Sequence, residues 1–313
     1  MKPSTKIKVV GVGGSGSNAV SRMTKCKIQG VELIAINTDV QDLKKIQADI
    51  KLQIGKRMTK GLGAGMNPKI GEIAAQESKE EIKEILKDAD IVFVTGGFGG
   101  GTCTGAAPVV AEIAKKLGAL TIAIVTKPFS FEGFPRKIIA ERGIETLKEK
   151  TDTLLVIPND KVLKMIDDQT PISSAFWMCD EILREGVQGI SDLITLPGIV
   201  NVDFADLKTI VANAGPAVFG IGRGKGEKRI EDAVSSALAS PFLEDISWKG
   251  GKGVLFNISG KSDLSLSEIK EAAQFITKNL NPDVKVIFGA VQDKKIKEGE
   301  VKIMIIITGF ENV

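Results

Sequence analysis

Apolar and polar positions change character twice along this 313-residue chain. From Lys6 to about Pro158, the runs IKVVGV, VELIAIN, IKLQI, DIVFVT, ALTIAIVT and DTLLVIP have strand character, and most are separated by stretches of helical spacing. That order predicts a mainly parallel sheet covered by helices on both faces. Residues 173 to 194 then place Phe176, Cys179, Leu183, Ile190 and Ile194 close to one stripe, which predicts a long helix bounded by Pro171 and Pro197. Beyond it the strands AVFGIG, KGVLFNISG, VKVIFGAV and EVKIMIIITGF are separated by helices at about 227 to 239 and 265 to 279. This pattern predicts a second, smaller α/β domain.

At two places an apolar run breaks into glycine before a helix. The first, GVGGSGSNAV, contains Gly11-x-Gly13-x-x-Gly16, with Asp39 at the end of the next strand where a ribose-binding acid could sit. Taken alone it suggests NAD. The second, GGFGGGTCTG at 96 to 105, leads into AAPVVAEIAKKLG, with Pro108 expected in the first helical turn and Gly118 just past the end. Glycine loops that open helices aim backbone N–H groups and a positive dipole end at a phosphate. Two of them on one parallel sheet fit a ligand with several phosphates better than a single dinucleotide fingerprint does. The lysine-bearing phosphate loop is missing, since GKS at 260 to 262 has Leu255 where its first glycine should stand. Charge compensation then falls to amide groups, Arg136 and a magnesium ion carried with the nucleotide.

Composition removes other classes. The 42 basic and 39 acidic residues leave a net charge of +3, which suggests no nucleic-acid partner. No secretory segment opens the chain, and IMIIIT is too short to cross a bilayer, so the expectation is a cytoplasmic protein without direct membrane insertion. Three scattered cysteines, Cys26, Cys103 and Cys179, argue against a disulfide framework. The chain has no histidine, which removes histidine-based nucleophilic catalysis and histidine-ligated metal. In NVDFADLK, Asp203 and Asp206 stand three apart at a helix start and share a face. On spacing alone, capping by Asp203, worth ~1 kcal/mol, ranks ahead of catalysis.

Taken in order, these pieces resemble the bacterial cell-division FtsZ family of the tubulin superfamily. GGGTCTG at 99 to 105 is similar to the family's GGGTGTG signature. IAINTD, KGLGAGMNP, GAAPVVAEIAKKLG, TKPFSFEG, IPNDK, GVQGISDLIT and NVDFADLKT have close family counterparts, and the likeness runs from about Lys6 to Phe310. The resemblance implies a Rossmann-like parallel-sheet GTPase domain at 1–172, a central helix at 173–195 and a C-terminal α/β domain at 196–313 with the catalytic loop at its start. It implies phosphate contacts from Gly13, Gly14, Ser15, Gly16, Ser17 and Asn18, and from Gly99, Gly100, Gly101, Thr102, Cys103, Thr104 and Gly105. Ala64 and Gly65 match the loop that senses the γ-phosphate. Glu132 and Arg136 match ribose and phosphate contacts, and Asp180 matches the acid that pairs with guanine.

The resemblance further implies that Asn201, Asp203 and Asp206 reach the GTP of the next subunit in a head-to-tail filament, so that hydrolysis to GDP and phosphate requires assembly. Such a protein would be a self-assembling scaffold of the division ring, partnered by itself. Regulators and membrane tethers commonly use a C-terminal peptide in this family, and nothing of that kind follows ITGFENV. Two other readings remain at this point: a NAD-binding Rossmann enzyme, and a GTP-binding relative that does not hydrolyse. Ser15 and Ser17 replace common glycines, with little expected loss. Cys103 stands where the signature usually has glycine, so either its φ is negative or the loop has shifted. At a helix N-terminus it is expected to lean toward thiolate and to be shielded from alkylation by GTP.

Overall fold

A computed structural model describes residues 5–167, 169–196, 198–200, 202–244, 251–278, 280 and 283–310. The chain divides into two compact units, residues 1–188 and 189–313.

The first unit carries strands β1 (Ile7–Val12), β2 (Val31–Asn37), β3 (Ile50–Gln53), β4 (Ile91–Gly97), β5 (Leu120–Lys127) and β6 (Thr153–Pro158). Its helices are α1 (Gly13–Lys25), α2 (Val40–Lys45), α3 (Lys56–Thr59), α4 (Pro68–Glu77), α5 (Lys79–Leu86), α6 (Gly101–Lys116), α7 (Phe134–Lys148) and α8 (Asn159–Leu163), and α9 (Ile172–Thr195) begins here. All six strands run parallel in the order β3-β2-β1-β4-β5-β6. β4 and β5 are buried at almost every position, so alternating side chains meet cover on both faces, as continuous apolar strands require. From β1 the chain builds outward to β2 and β3, then returns to place β4 on the other side. That reversal is where ligands bind in open parallel sheets, and both glycine segments leave from it.

The helices after these strands start earlier than expected. α6 begins at Gly101, inside the glycine run, so Pro108 lies in the middle of the helix and not in its first turn. Glycine disfavours a helix by ~1 kcal/mol relative to alanine, but here it permits main-chain contact with α4. A Cβ at Gly101 would stand 2.6 Å from the Ala64 carbonyl oxygen, and one at Gly105 would overlap that of Pro68. Tertiary packing overrides propensity.

The second unit contains β7 (Gly198–Val200), α10 (Phe204–Val211), β8 (Gly215–Lys225), α11 (Arg229–Leu238), β9 (Gly253–Gly260), α12 (Leu266–Thr277), β10 (Lys285–Gln292) and β11 (Glu300–Thr308). Its sheet is mixed, in the order β8-β11-β9-β10-β7, with β9 and β10 parallel and the other pairs antiparallel. Gly220, Gly222 and Gly224 alternate along β8 because α11 lies directly on them, and a Cβ at any would overlap a helix carbonyl. The glycine-rich stretch GIGRGKG is therefore a helix seat. Among the described residues no helix is long and apolar enough to cross a membrane.

Candidate nucleotide site

A cavity of about 440 Å³ opens at the sheet reversal. Gly14 and Ser15 of α1, Gly100 of the second glycine loop, and Gly101, Thr102 and Cys103 of α6 line it, as do Ala64, Gly65, Glu132, Arg136 and Asp180. α1 and α6 both start at its wall without a side-chain N-cap. A side-chain cap is also lacking on α3, α5, α7, α8, α10 and α11, so what sets α1 and α6 apart is that both begin at one cavity. Two helices left open toward one cavity offer donors and partial positive charge to an anion.

The remaining predicted phosphate contacts do not line the cavity. Gly13, at φ +72°, packs on Cys103, and its Cβ would lie 3.1 Å from the Cys103 nitrogen. Gly16 lies against β4, with 2.5 Å from a built Cβ to the Thr95 carbonyl oxygen, and Gly11 against Gly16. The dinucleotide-like spacing is thus satisfied by strand–helix packing. Ser17 is buried with its hydroxyl unpartnered, and Asn18 is exposed on α1. Gly99 adopts φ +104° and donates its N–H to Thr104 Oγ1 at 3.0 Å, which fixes the loop from behind. Gly105 faces α4.

Cys103 is the third residue of α6 and lies outside the positive-φ residues, so its Cβ is accommodated without strain. It is buried beside Gly96, and burial pushes its thiol well above the ordinary range. The expected lean toward thiolate is corrected to a raised thiol, because burial disfavours a charged sulfur.

Several lining residues escaped the sequence reading. Asn37 at the end of β2 and Asn159 after β6 are buried, and Asn37 Nδ2 and Asn159 Oδ1 have no partner among the described residues. Asn37 Oδ1 accepts from the Asp39 N–H at 3.3 Å, but a buried donor or acceptor left unpaired is costly, so the Asn37 and Asn159 atoms point to a polar occupant. Asp42, Thr126, Phe176 and Cys179 also line the cavity. Asp39, the acid of the NAD reading, accepts from the N–H groups of Gln41 and Asp42 at 2.9 and 3.1 Å and so caps α2. Thr38 and Thr102 hydroxyls meet at 2.8 Å. Glu132 Oε1 accepts from the Phe129 N–H at 2.9 Å, while its Oε2 stands 3.2 Å from Arg136.

In the second unit Asp203 occupies the N-cap position of α10, yet its carboxylate makes no capping bond. Asp203 and Asp206 are exposed, while Leu207, Ile210 and Val211 seat the helix. The expectation that Asp203 caps is therefore overturned. Asn201 lies outside the described residues.

A parallel sheet whose reversal sets two open helix N-termini around a polar cavity defines a phosphate-cradling nucleotide-binding protein. Residues 6–167 match the tubulin/FtsZ family GTPase domain, and residues 215–311 match the FtsZ family C-terminal domain. The empty FtsZ dimer of M. jannaschii is 48% identical over 99% of this chain and 89% of that one, with a TM-score of 0.94. CetZ1 of Haloferax volcanii, a GDP-bound monomer, is 23% identical over 99% of this chain and 96% of its own, with a TM-score of 0.83. The GTPγS-bound protofilament of CetZ2 from the same organism is 19% identical over 98% and 94%, with a TM-score of 0.81, and both CetZ likenesses speak for the fold alone. The chain belongs to the FtsZ family. That membership makes it a guanine-nucleotide GTPase of the polymerising kind, implies a division-ring role, and sets the NAD reading aside.

Proposed function

We propose that the cavity of residues 1–188 holds GTP or GDP, and that hydrolysis takes place only where another copy of the chain supplies Asn201, Asp203 and Asp206. The observation that carries this is the uncommitted acidic pair. Asp203 and Asp206 are exposed, neither caps its helix, and neither lines the nucleotide cavity. Two free carboxylates can orient and polarise a water, but need a phosphate presented to them. The M. jannaschii relative is described as a dimer, which favours self-association here too. A head-to-tail contact of this kind does not close and yields filaments. The cytoplasmic face of the division site is the proposed location.

Within one chain, the N-termini of α1 and α6 receive the phosphates, with Gly14, Ser15 and Gly100 to Cys103 closest. Ala64 and Gly65 meet the terminal phosphate, Glu132 and Arg136 the ribose and phosphates, and Asp180 the base. Among the described residues, four acids line the cavity, Asp39, Asp42, Glu132 and Asp180, against one cation, Arg136. A polyphosphate entering this set needs a divalent cation to offset the charge, which fits magnesium. Among the described residues no group of three or more ligating side chains forms a metal site, so phosphates and water would hold it. Magnesium bound there would neutralise charge on the phosphates.

The test is the GTP hydrolysis rate per subunit against protein concentration, with light scattering on the same samples. A rate near zero below a threshold that rises together with scattering is expected. A rate per subunit independent of concentration would overturn the shared site. GTP bound without turnover at any concentration would favour the non-hydrolysing reading.

A further inference from the structure

Arg22 lies on the helix that opens at the first glycine loop, and Asp180 on α9. Arg22 Nη2 donates to Asp180 Oδ2 at 3.3 Å, and both side chains are more than four-fifths buried. The half-exposed indole of Trp177, one turn before Asp180, covers the guanidinium with its ring centre 4.6 Å from Arg22 Cζ. An aromatic face attracts the cation and removes water from that side, which fixes the guanidinium plane. Arg22 Nε is buried without a partner among the described residues. The arrangement is costly unless the orientation of the pair matters.

We propose that Arg22, held under Trp177, is a specificity-determining positioning residue that presents the Asp180 carboxylate to the base edge of guanine. The inference rests on the reading of Asp180 as the guanine acceptor. Guanine offers two adjacent donors, N1–H and the N2 amino group, where adenine offers an acceptor and a donor. An ionised carboxylate accepts both guanine donors, whereas a protonated one gives up half of that match. Burial pushes Asp180 up to about 6, and the Arg22 charge and hydrogen bond pull the other way. Among the described residues that line the cavity, no other cation is placed on Asp180. Arg136 is paired with Glu132, Asp39 and Asp42 are acids, and the adjacent Cys179 thiol is pushed up to about 12 and stays neutral. Further along α9, Arg184 is engaged by Glu181 and Glu185.

The experiment is equilibrium binding of GTP and ATP from pH 5.5 to 9 with the full chain, Arg22→Gln, Arg22→Lys, Trp177→Ala and Asp180→Asn, each checked for folding by circular dichroism. The terminal phosphate titrates alike in every sample, so the ratio of each dissociation constant to that of the parent is read. Removing a cation this close raises a carboxylate pKa by about 1 to 3 units, so Arg22→Gln should weaken GTP binding about tenfold at pH 7. The ratio should fall toward one by pH 9, where Asp180 ionises unaided, and ATP binding, whose acceptor and donor a protonated carboxyl can match, should not weaken at pH 7. Arg22→Lys and Trp177→Ala should show the same pH trend with smaller amplitude, and they carry the test if Arg22→Gln does not fold. A ratio constant across the pH range, or near one throughout, would overturn the inference. If Asp180→Asn keeps full GTP affinity and its preference over ATP, the guanine assignment itself fails, whatever Arg22 does.

Discussion

Replacing Cys103 by Gly, the residue usual in the family signature, should weaken this chain, and the structure says by how much. The side chain fills the space between Gly13 and Gly96: the Gly13 Cβ position is 3.2 Å from Cys103 Cβ, and that of Gly96 is 2.5 Å from Sγ. Neither neighbour has a side chain with which to refill the gap. Losing a buried carbon and sulfur costs ~1.5 kcal/mol at about 0.8 kcal/mol per methylene-sized group. Glycine in place of cysteine within a helix adds a few tenths. The sum is about 2 kcal/mol, which at about 2–4 °C per kcal/mol for a unit of this size lowers the melting temperature by about 4–8 °C. Urea midpoints of the nucleotide-free protein, followed by far-ultraviolet circular dichroism with equal m-values, measure it directly. An unchanged or higher midpoint would refute the packing role and mean that α6 shifts to close the space.

The other predictions follow from the same contacts. Cys103 should remain unalkylated by iodoacetamide at pH 8 with or without nucleotide, as read by mass spectrometry, since its thiol is buried and held protonated; rapid labelling of the folded protein would contradict this. Gly105→Ala should cost about 3 kcal/mol in urea unfolding, because its Cβ would overlap the Pro68 carbonyl and the Glu72 N–H region of α4. Asp203→Ala should change stability by less than about 0.5 kcal/mol, because no cap bond is lost, while GTP turnover disappears and GTP binding persists. Asp180 is raised from 3.8 to about 6, so the folded chain holds a proton that the unfolded chain releases in that window. Its contribution is therefore favourable below pH 4 and is lost as pH rises through 6. Asp180→Asn should gain on the parent by up to about 3 kcal/mol between pH 4 and pH 8 in thermal unfolding.

The strands were legible because β-branched runs between polar stretches have few alternatives, and the long helix because its apolar stripe persists through several turns. The starts of α1 and α6 were not. Glycine at Gly13, Gly101 and Gly105 reads locally as loop, and what makes it helix is a neighbouring main chain far away in sequence. β7 is three residues long, too short for any period. In the candidate site, the glycine segments could be singled out from motifs, and Asp180 only through the family resemblance. Asn37 and Asn159 carry only the weak signal of polar residues where strands end, and Arg22 lies 158 residues from the carboxylate it orients. Asp203 misled because an acid at a helix start usually caps, and only the side-chain geometry shows that this one does not.

The contact between α4 and α6 is made by backbone: a Cβ at Gly71 would overlap the Gly101 carbonyl oxygen, and Gly101 donates its N–H to Gly65 at 2.6 Å. Such a joint has no rotamers through which to yield. A displacement of the segment around Ala64 and Gly65 is therefore expected to be shared by the first turn of α6. The place of Gly65 and the place of the first turn of α6 are in this sense a single variable, and a methyl group at Gly71 or Gly101 would prise the two apart.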